Sequence, residues 1–251
     1  MTKTYPVTYP LIAINVVVFA IMMFVDRTLS YPTLVDFGAK VNFRIVDGLL
    51  WHLFTPMFLH ADLPHLAFNS LALYYVGPLV ERFYGPKKYL LFYVLIGIIA
   101  SIGSFITSNN IALGASGAIF GLFAFHIYLF ILNREGYKEI FGSQMFLVIG
   151  INLVYTFTNP SIDKAGHIFG FLGGLAIYFL FDRFSRNPDL LKRVAFGFLI
   201  LLSIGAGFKF RTYKYSEEYF IDKFSYYYYK GDNENAWRVE QEYLEYYGQG
   251  R

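Results

Sequence analysis

Ser116, His167, His65 and Asn69 each interrupt an otherwise apolar stretch of the chain, and together they could assemble a reaction. Ser116 stands in IALGASGAIFGLFAFH (111–126), flanked by Gly114 and Gly117, with Gly121 one turn further on. Its hydroxyl is either helix filler or a nucleophile. Serine attacks a carbonyl only when a base within hydrogen-bonding reach takes its proton, and His167, in KAGHIFGFLGGLAIYFLF (164–181), is the candidate base. The tetrahedral intermediate then needs donors aimed at its oxyanion, each worth about 3 to 4 kcal/mol in a soluble protease. The candidates are His65, the Asn69 side-chain amide and the Ser116 backbone amide. His65 and Asn69 lie four residues apart and so share one helical face. A lone histidine there would serve equally well as a structural hydrogen-bonding residue; the two aligned donors favour an anion cradle. No Asp or Glu lies within the apolar body of these segments, and Asp163 sits at the wrong end of a turn to be a third, acidic member. The economical arrangement is a serine and histidine dyad.

The elements that must position these residues are set by the solvent. Of 251 residues, 56% are hydrophobic, 21% aromatic and 16% charged, against roughly 25% charged in an ordinary soluble domain. Repeated apolar runs approach the roughly 20 residues that cross a bilayer, which predicts an all-α, polytopic membrane bundle. A net charge of +3 is too small to suggest a nucleic-acid partner, and without cysteine there is neither a disulfide framework nor thiolate chemistry. Lys3 precedes a hydrophobic run, Leu11 to Val25, with no small-residue cleavage site behind it, so a retained span is expected.

Spans are expected at about 8–25, 64–82, 89–107, from within the serine stretch to 133, 145–157, 164–181 and 194–208. The long connection 26–62 is charged in its first half, but its second half holds the amphipathic run LLWHLFTPMFLH, where Trp51 suits the interfacial zone. Gly85, Pro86, Lys87 and Lys88 read as a basic turn, Arg134 to Glu139 as a charged loop, and Asn152 as a group that satisfies a neighbouring helix. Gly166, Gly170 and Gly174 recur every fourth residue, and Gly117 and Gly121 offer a matching stripe. Small residues at that period let helix backbones approach closely in lipid. If the stripes face each other, Ser116 and His167 meet at similar depth. Lysines and arginines after the second, fourth and sixth spans put those ends in the cytoplasm, with the amino terminus inside and the tail outside. The expected division is a membrane domain of residues 1–210, with its core at about 8–184, and a tail of residues 211–251. The tail holds helices near 217–230 and 235–247, read as a hairpin on the membrane surface; a docking element for a partner is the sharper alternative.

HLAFN (65–69), GASG (114–117) and GHIFG (166–170), in that order, resemble the rhomboid family of intramembrane serine proteases, with the likeness extending over about residues 8–184. The resemblance implies a six-helix bundle plus a seventh span, in a multi-pass protein of the inner membrane. It implies Ser116 as nucleophile, His167 as general base, and His65, Asn69 and the Ser116 amide as oxyanion hole. Gly114 would shape the loop entering a fourth helix that starts partway down the membrane; Gly117, Gly121 and Gly170 would support the site. The implied reaction is hydrolysis of a peptide bond in or near a transmembrane segment of another protein, with no metal or cofactor. Two residues depart from the family pattern: His52 follows Trp51 where an arginine is common, and Phe120 replaces a tyrosine that stacks on the base. Two rival readings are a catalytically silent member that binds membrane clients and a small-solute transporter. Against the first stand both Ser116 and His167; against the second, the lack of matched interrupted helices.

Overall fold

The computed structural model describes residues 5–141, 144–159 and 162–248; Lys3 and the outer limits of the two expected domains lie outside them. In chain order the helices are α1 Thr8–Val25, α2 Tyr31–Asp36, α3 Asn42–Val46, α4 Leu63–Tyr84, α5 Pro86–Thr107, α6 Ser116–Leu132, α7 Arg134–Phe141, α8 Gln144–Thr158, α9 Lys164–Leu180, α10 Pro188–Tyr213, α11 Glu217–Lys230 and α12 Asn233–Gly248. Short 3-10 turns, Leu50–Leu53 and Thr55–Phe58, follow α3. Among the described residues no strand occurs, only an isolated bridge between Lys40 and Ala112.

The fold is the expected all-α bundle, and the seven expected spans correspond to α1, α4, α5, α6, α8, α9 and α10. By length and composition α1, α5 and α10 are apolar enough to cross a bilayer, while α6 and α9 are shorter apolar helices of 17 residues each. At 1.5 Å per residue such a helix covers about 25 Å, less than the roughly 30 Å hydrocarbon layer. A helix of that length can begin beneath the surface. α1 and α10 turn Val17, Phe24, Leu201 and Phe208 outward, as suits helices facing lipid.

Local chemistry shifts several limits. Gly85, at φ +80°, ends α4, and Pro86 opens α5; a proline at N1 loses no helical bond, so the third span starts ahead of Tyr89. The stretch read as a charged loop is helix α7. Asn133 Oδ1 accepts from Gly136 N at 3.0 Å at its start, and Lys138 pairs with Glu135 three residues away, support that a charge count does not register. Asn187 caps α10, accepting from Leu190 N at 3.2 Å, so Lys192 and Arg193, which fall before the expected span 194–208, lie in its first turns. Asp232 likewise accepts from Asn235 N at 3.1 Å, and α12 begins at Asn233.

At the centre α6 and α9 lie backbone to backbone along their glycines. A Cβ placed on Gly121 would stand 2.9 Å from Gly170 O, and one on Gly170 would overlap the Gly117 carbonyl. α5 backs the pair, with Ala100 against Gly117 and Ile96 against Gly121. α1 is fastened to α4 by the buried Glu81, whose carboxylate accepts from Val7 N and Thr8 N at 2.9 Å each and from the Thr8 hydroxyl at 2.6 Å. That places a negative charge at the positive end of α1.

In the tail α11 and α12 form a helical hairpin that packs on the first connection. Phe220, Tyr226 and Val239 share an apolar cluster with Val35, Phe43 and Val46. Asp36 accepts from the Tyr226 hydroxyl and from Lys230 Nζ, the latter at 2.8 Å, and Asp47 accepts from the Tyr219 hydroxyl at 2.8 Å. The Arg44 guanidinium lies 4.5 Å from the Tyr226 ring centroid. Tail and first connection therefore occupy the same side of the bundle.

The glycine contact yields a direct test. Gly170→Val drives two methyl groups into the Gly117 backbone, which cannot yield as a side chain would; the expected loss is about 1 to 3 kcal/mol. Thermal unfolding of the detergent-solubilised protein should show a lowered midpoint, with Gly197→Val, where no atom stands within 4 Å of an added Cβ, as the neutral control.

Candidate active site

Ser116 is the first residue of α6, where the opening amides have no intrahelical partners and the helix dipole is positive. The chain reaches it through Ile111–Gly114, an extended segment anchored from outside. Lys40 and Ala112 exchange both backbone hydrogen bonds (2.8 and 3.0 Å), and Gly114 N donates to Pro56 O at 2.8 Å. Gly114 turns at φ +121°, a conformation that favours glycine. A Cβ there would lie 2.6 Å from His65 Nε2 and 3.4 Å from Asn69 Nδ2. The two side chains thus converge on the open face of Gly114, two residues before Ser116. Asp62 sets the start of α4 by accepting from His65 N at 2.6 Å.

His167 sits in the first turn of α9 and is 7% exposed. Its Nε2 lies 2.7 Å from Ser116 Oγ, although 51 residues separate the two. Phe120, one turn along α6, stacks on the imidazole with centroids 4.1 Å apart and planes 18° apart. The phenyl ring therefore keeps the stacking contact although the family's hydroxyl is gone. Asp163 caps α9 by accepting from Gly166 N at 3.0 Å, which employs its carboxylate on the backbone. Thr156 occupies the other side of the base: its Oγ1 lies 2.8 Å from His167 Nδ1. A cavity of about 30 Å³ beside Ser116 is lined by Met57, Gly97, Ala100, Ser101 and Ala118.

The first connection braces this arrangement. Buried Lys40 donates from Nζ to Ser108 O at 2.8 Å, Asn110 O at 3.1 Å and Ser104 O at 3.4 Å, gathering carbonyls at the negative end of α5. Burial pulls the Lys40 ammonium down to about 7, with the Asp163 carboxylate acting in the opposite direction. His52 donates from Nδ1 to Ala39 O at 2.7 Å and so fixes the residue before Lys40; burial lowers its proton affinity. That bond is the structural role of the residue standing where an arginine is common. His60 is held neutral, pulled down to about 3 first by burial and then by His65, against which its ring packs edge-on at 5.1 Å.

The structure brings Ser116, His167, Phe120, Gly114, Gly117, Gly121 and Gly170 together, with His65 and Asn69 beside Gly114. The sequence reading missed Thr156, Lys40 and His60. A polar residue at membrane depth that must find a partner was the available signal for Thr156, and a lysine just ahead of an apolar block was the signal for Lys40.

By class this is a multi-pass helical membrane protein with a serine and a histidine hydrogen-bonded between two helices. Residues 47–184 match the family model described as the Rhomboid domain. The chain is 42% identical over 167 residues to the rhomboid protease GluP of Bacillus subtilis, covering 66% of this chain and 33% of that protein. It is 31% identical over 180 residues to YdcA of the same organism, also named for rhomboid proteases, covering 71% of this chain and 89% of that one. To Rhomboid-like protease 1 of Toxoplasma gondii it is 33% identical over 157 residues, covering 60% and 53%. The chain belongs to the rhomboid family. It spans about a third of GluP's length and nearly the whole of YdcA's.

Lys40→Met should test the brace. Leaving the gathered carbonyls without their donor is expected to cost about 1 to 3 kcal/mol, read as a lower thermal midpoint in detergent, together with slower labelling of Ser116 by a fluorophosphonate probe.

Proposed function

We propose that the protein is an intramembrane serine endopeptidase that hydrolyses peptide bonds in or near transmembrane segments of other membrane proteins. The observation that carries this reading is the 2.7 Å contact between Ser116 Oγ and His167 Nε2, half-buried between two helices of a rhomboid bundle. As the Ser116 oxygen attacks the scissile carbonyl, its proton passes to His167 Nε2. The carbonyl oxygen becomes an oxyanion, for which His65, Asn69 and the Ser116 amide are the donors. Collapse of the intermediate breaks the C–N bond, His167 returns the proton to the leaving amine, and an acyl ester remains on Ser116. Water, deprotonated by the same imidazole, then releases the acid and restores the serine.

The cavity beside Ser116 has the volume of about one water or methyl group, which supports a small side chain next to the cleaved bond. A helical substrate hides its carbonyls in intrahelical bonds, so the segment must unwind locally to be cut. We place the amino terminus in the cytoplasm and the tail outside, in the inner membrane, with residues 1–210 as membrane domain and 211–251 as tail. The packing of the tail on the first connection supports putting those two on one side. The alternative, a silent client-binding member, gives no purpose to the short Ser116–His167 contact.

Ser116→Ala and His167→Ala, each purified in detergent and returned to liposomes, are expected to lower cleavage of a model transmembrane substrate by about a thousandfold or more. Thermal midpoints should stay near that of the unmodified chain. Cleavage that persists in either variant overturns the mechanism.

A further inference from the structure

We infer that Thr156 is a positioning residue that decides which nitrogen of His167 carries the proton. The inference rests on the reading of Ser116 and His167 as nucleophile and base. A hydroxyl has one proton to give. The Thr156 Oγ1 proton goes to Asn152 O, 2.8 Å away one turn back along α8, and a carbonyl can only accept. Facing His167 Nδ1 at 2.8 Å, Oγ1 therefore meets it as an acceptor, and Nδ1 bears the hydrogen. A neutral imidazole holds one N–H, so Nε2 is left with a bare lone pair 2.7 Å from Ser116 Oγ. That is the tautomer able to take the serine proton.

The opposite tautomer either sets two lone pairs against each other at Nδ1 or costs Thr156 its bond to Asn152 O, and it points an N–H at the serine hydroxyl, leaving no base there. Thr156 is 1% exposed and His167 7%, so water is poorly placed to substitute for the missing partner. The Phe120 ring, stacked at 4.1 Å, opposes turning of the imidazole about its own bond. When His167 becomes imidazolium, the Nδ1–H to Oγ1 bond persists and needs no rearrangement. A neutral hydroxyl thus performs the orienting part of the work that a carboxylate performs in a three-membered site, without adding a second charge to a buried site.

The test compares Thr156→Val, which keeps the shape and removes the oxygen, with Thr156→Ser, which restores it, in the full chain. The readouts are kcat and KM on a transmembrane substrate, the fluorophosphonate labelling rate of Ser116, and ¹⁵N NMR of histidine-labelled protein. Loss of one neutral hydrogen bond predicts a fall of about tenfold in kcat and labelling rate for Thr156→Val, KM changing by less than about twofold and Thr156→Ser recovering most of the loss. In the spectrum, the His167 Nε2 signal should move from the unprotonated towards the protonated type in Thr156→Val alone. If the valine variant melts out, Thr156→Ala supplies the same comparison. Unchanged rates or an unchanged tautomer in the variant lacking the hydroxyl overturn the inference. So does a serine variant as impaired as the valine one, since that marks a packing role. Ser116→Ala assayed alongside separates the two readings. Cleavage by Ser116→Ala overturns the dyad itself, whereas an inert Ser116→Ala beside a fully active Thr156→Val overturns only the role of Thr156.

Discussion

The close approach of α6 and α9 is the constraint on which the rest of the structure depends. In lipid there is no hydrophobic gain from bringing two apolar helices together, so association relies on surface fit and hydrogen bonds. Gly117, Gly121, Gly170 and Gly174 remove every side chain from the line of contact. The backbones then touch, and only at that separation does an imidazole on one helix reach a hydroxyl on the other without a water between. α5 fixes the crossing from behind by filling the glycine notches with Ala100 and Ile96. Ser116 and His167 are thus held by main-chain geometry more than by their own rotamers.

A second set of contacts controls the approach to α6. The segment from Ile111 to Gly114 hangs on Lys40 and Pro56, and Lys40 also collects the carbonyls at the end of α5. The end of one span, the entry to the next and the first connection therefore share one buried ammonium. His52, through Ala39, keeps that ammonium in place. The first connection serves as a clamp whose polar groups face inward, which explains why a stretch with so many apolar residues is not itself a span.

Much of this was legible because it follows periodic rules. Apolar runs of bilayer length gave the spans, and the four-residue glycine repeat announced a tight helix pair, since only residue size at a fixed period is needed to state it. His65 and Asn69 were readable as one face of one helix. Thr156 was not, because its partner lies on another helix and a hydroxyl carries no local signature of what it faces; Asn152, noted for its side chain, serves Thr156 through its carbonyl. The stretch from Arg134 to Glu139 misled because charge suggested a loop, while Asn133 supplies a helix cap. The docking of Tyr219 and Tyr226 on Asp47 and Asp36 was invisible for the same reason as Thr156: those pairs sit 172 and 190 residues apart.

That last separation bears on biosynthesis. A chain enters the membrane from its amino end, and at ordinary ribosomal rates 190 residues take about 10 to 40 s to appear. Asp36 and Asp47 must wait that long for Tyr226, Lys230 and Tyr219, and through the whole interval the first connection lacks the helices that will cover it. Ser116 meets His167 much earlier, after only 51 further residues. The order of synthesis therefore lets the helix pair bearing the serine and histidine close first, and the helices that steady the first connection arrive after it.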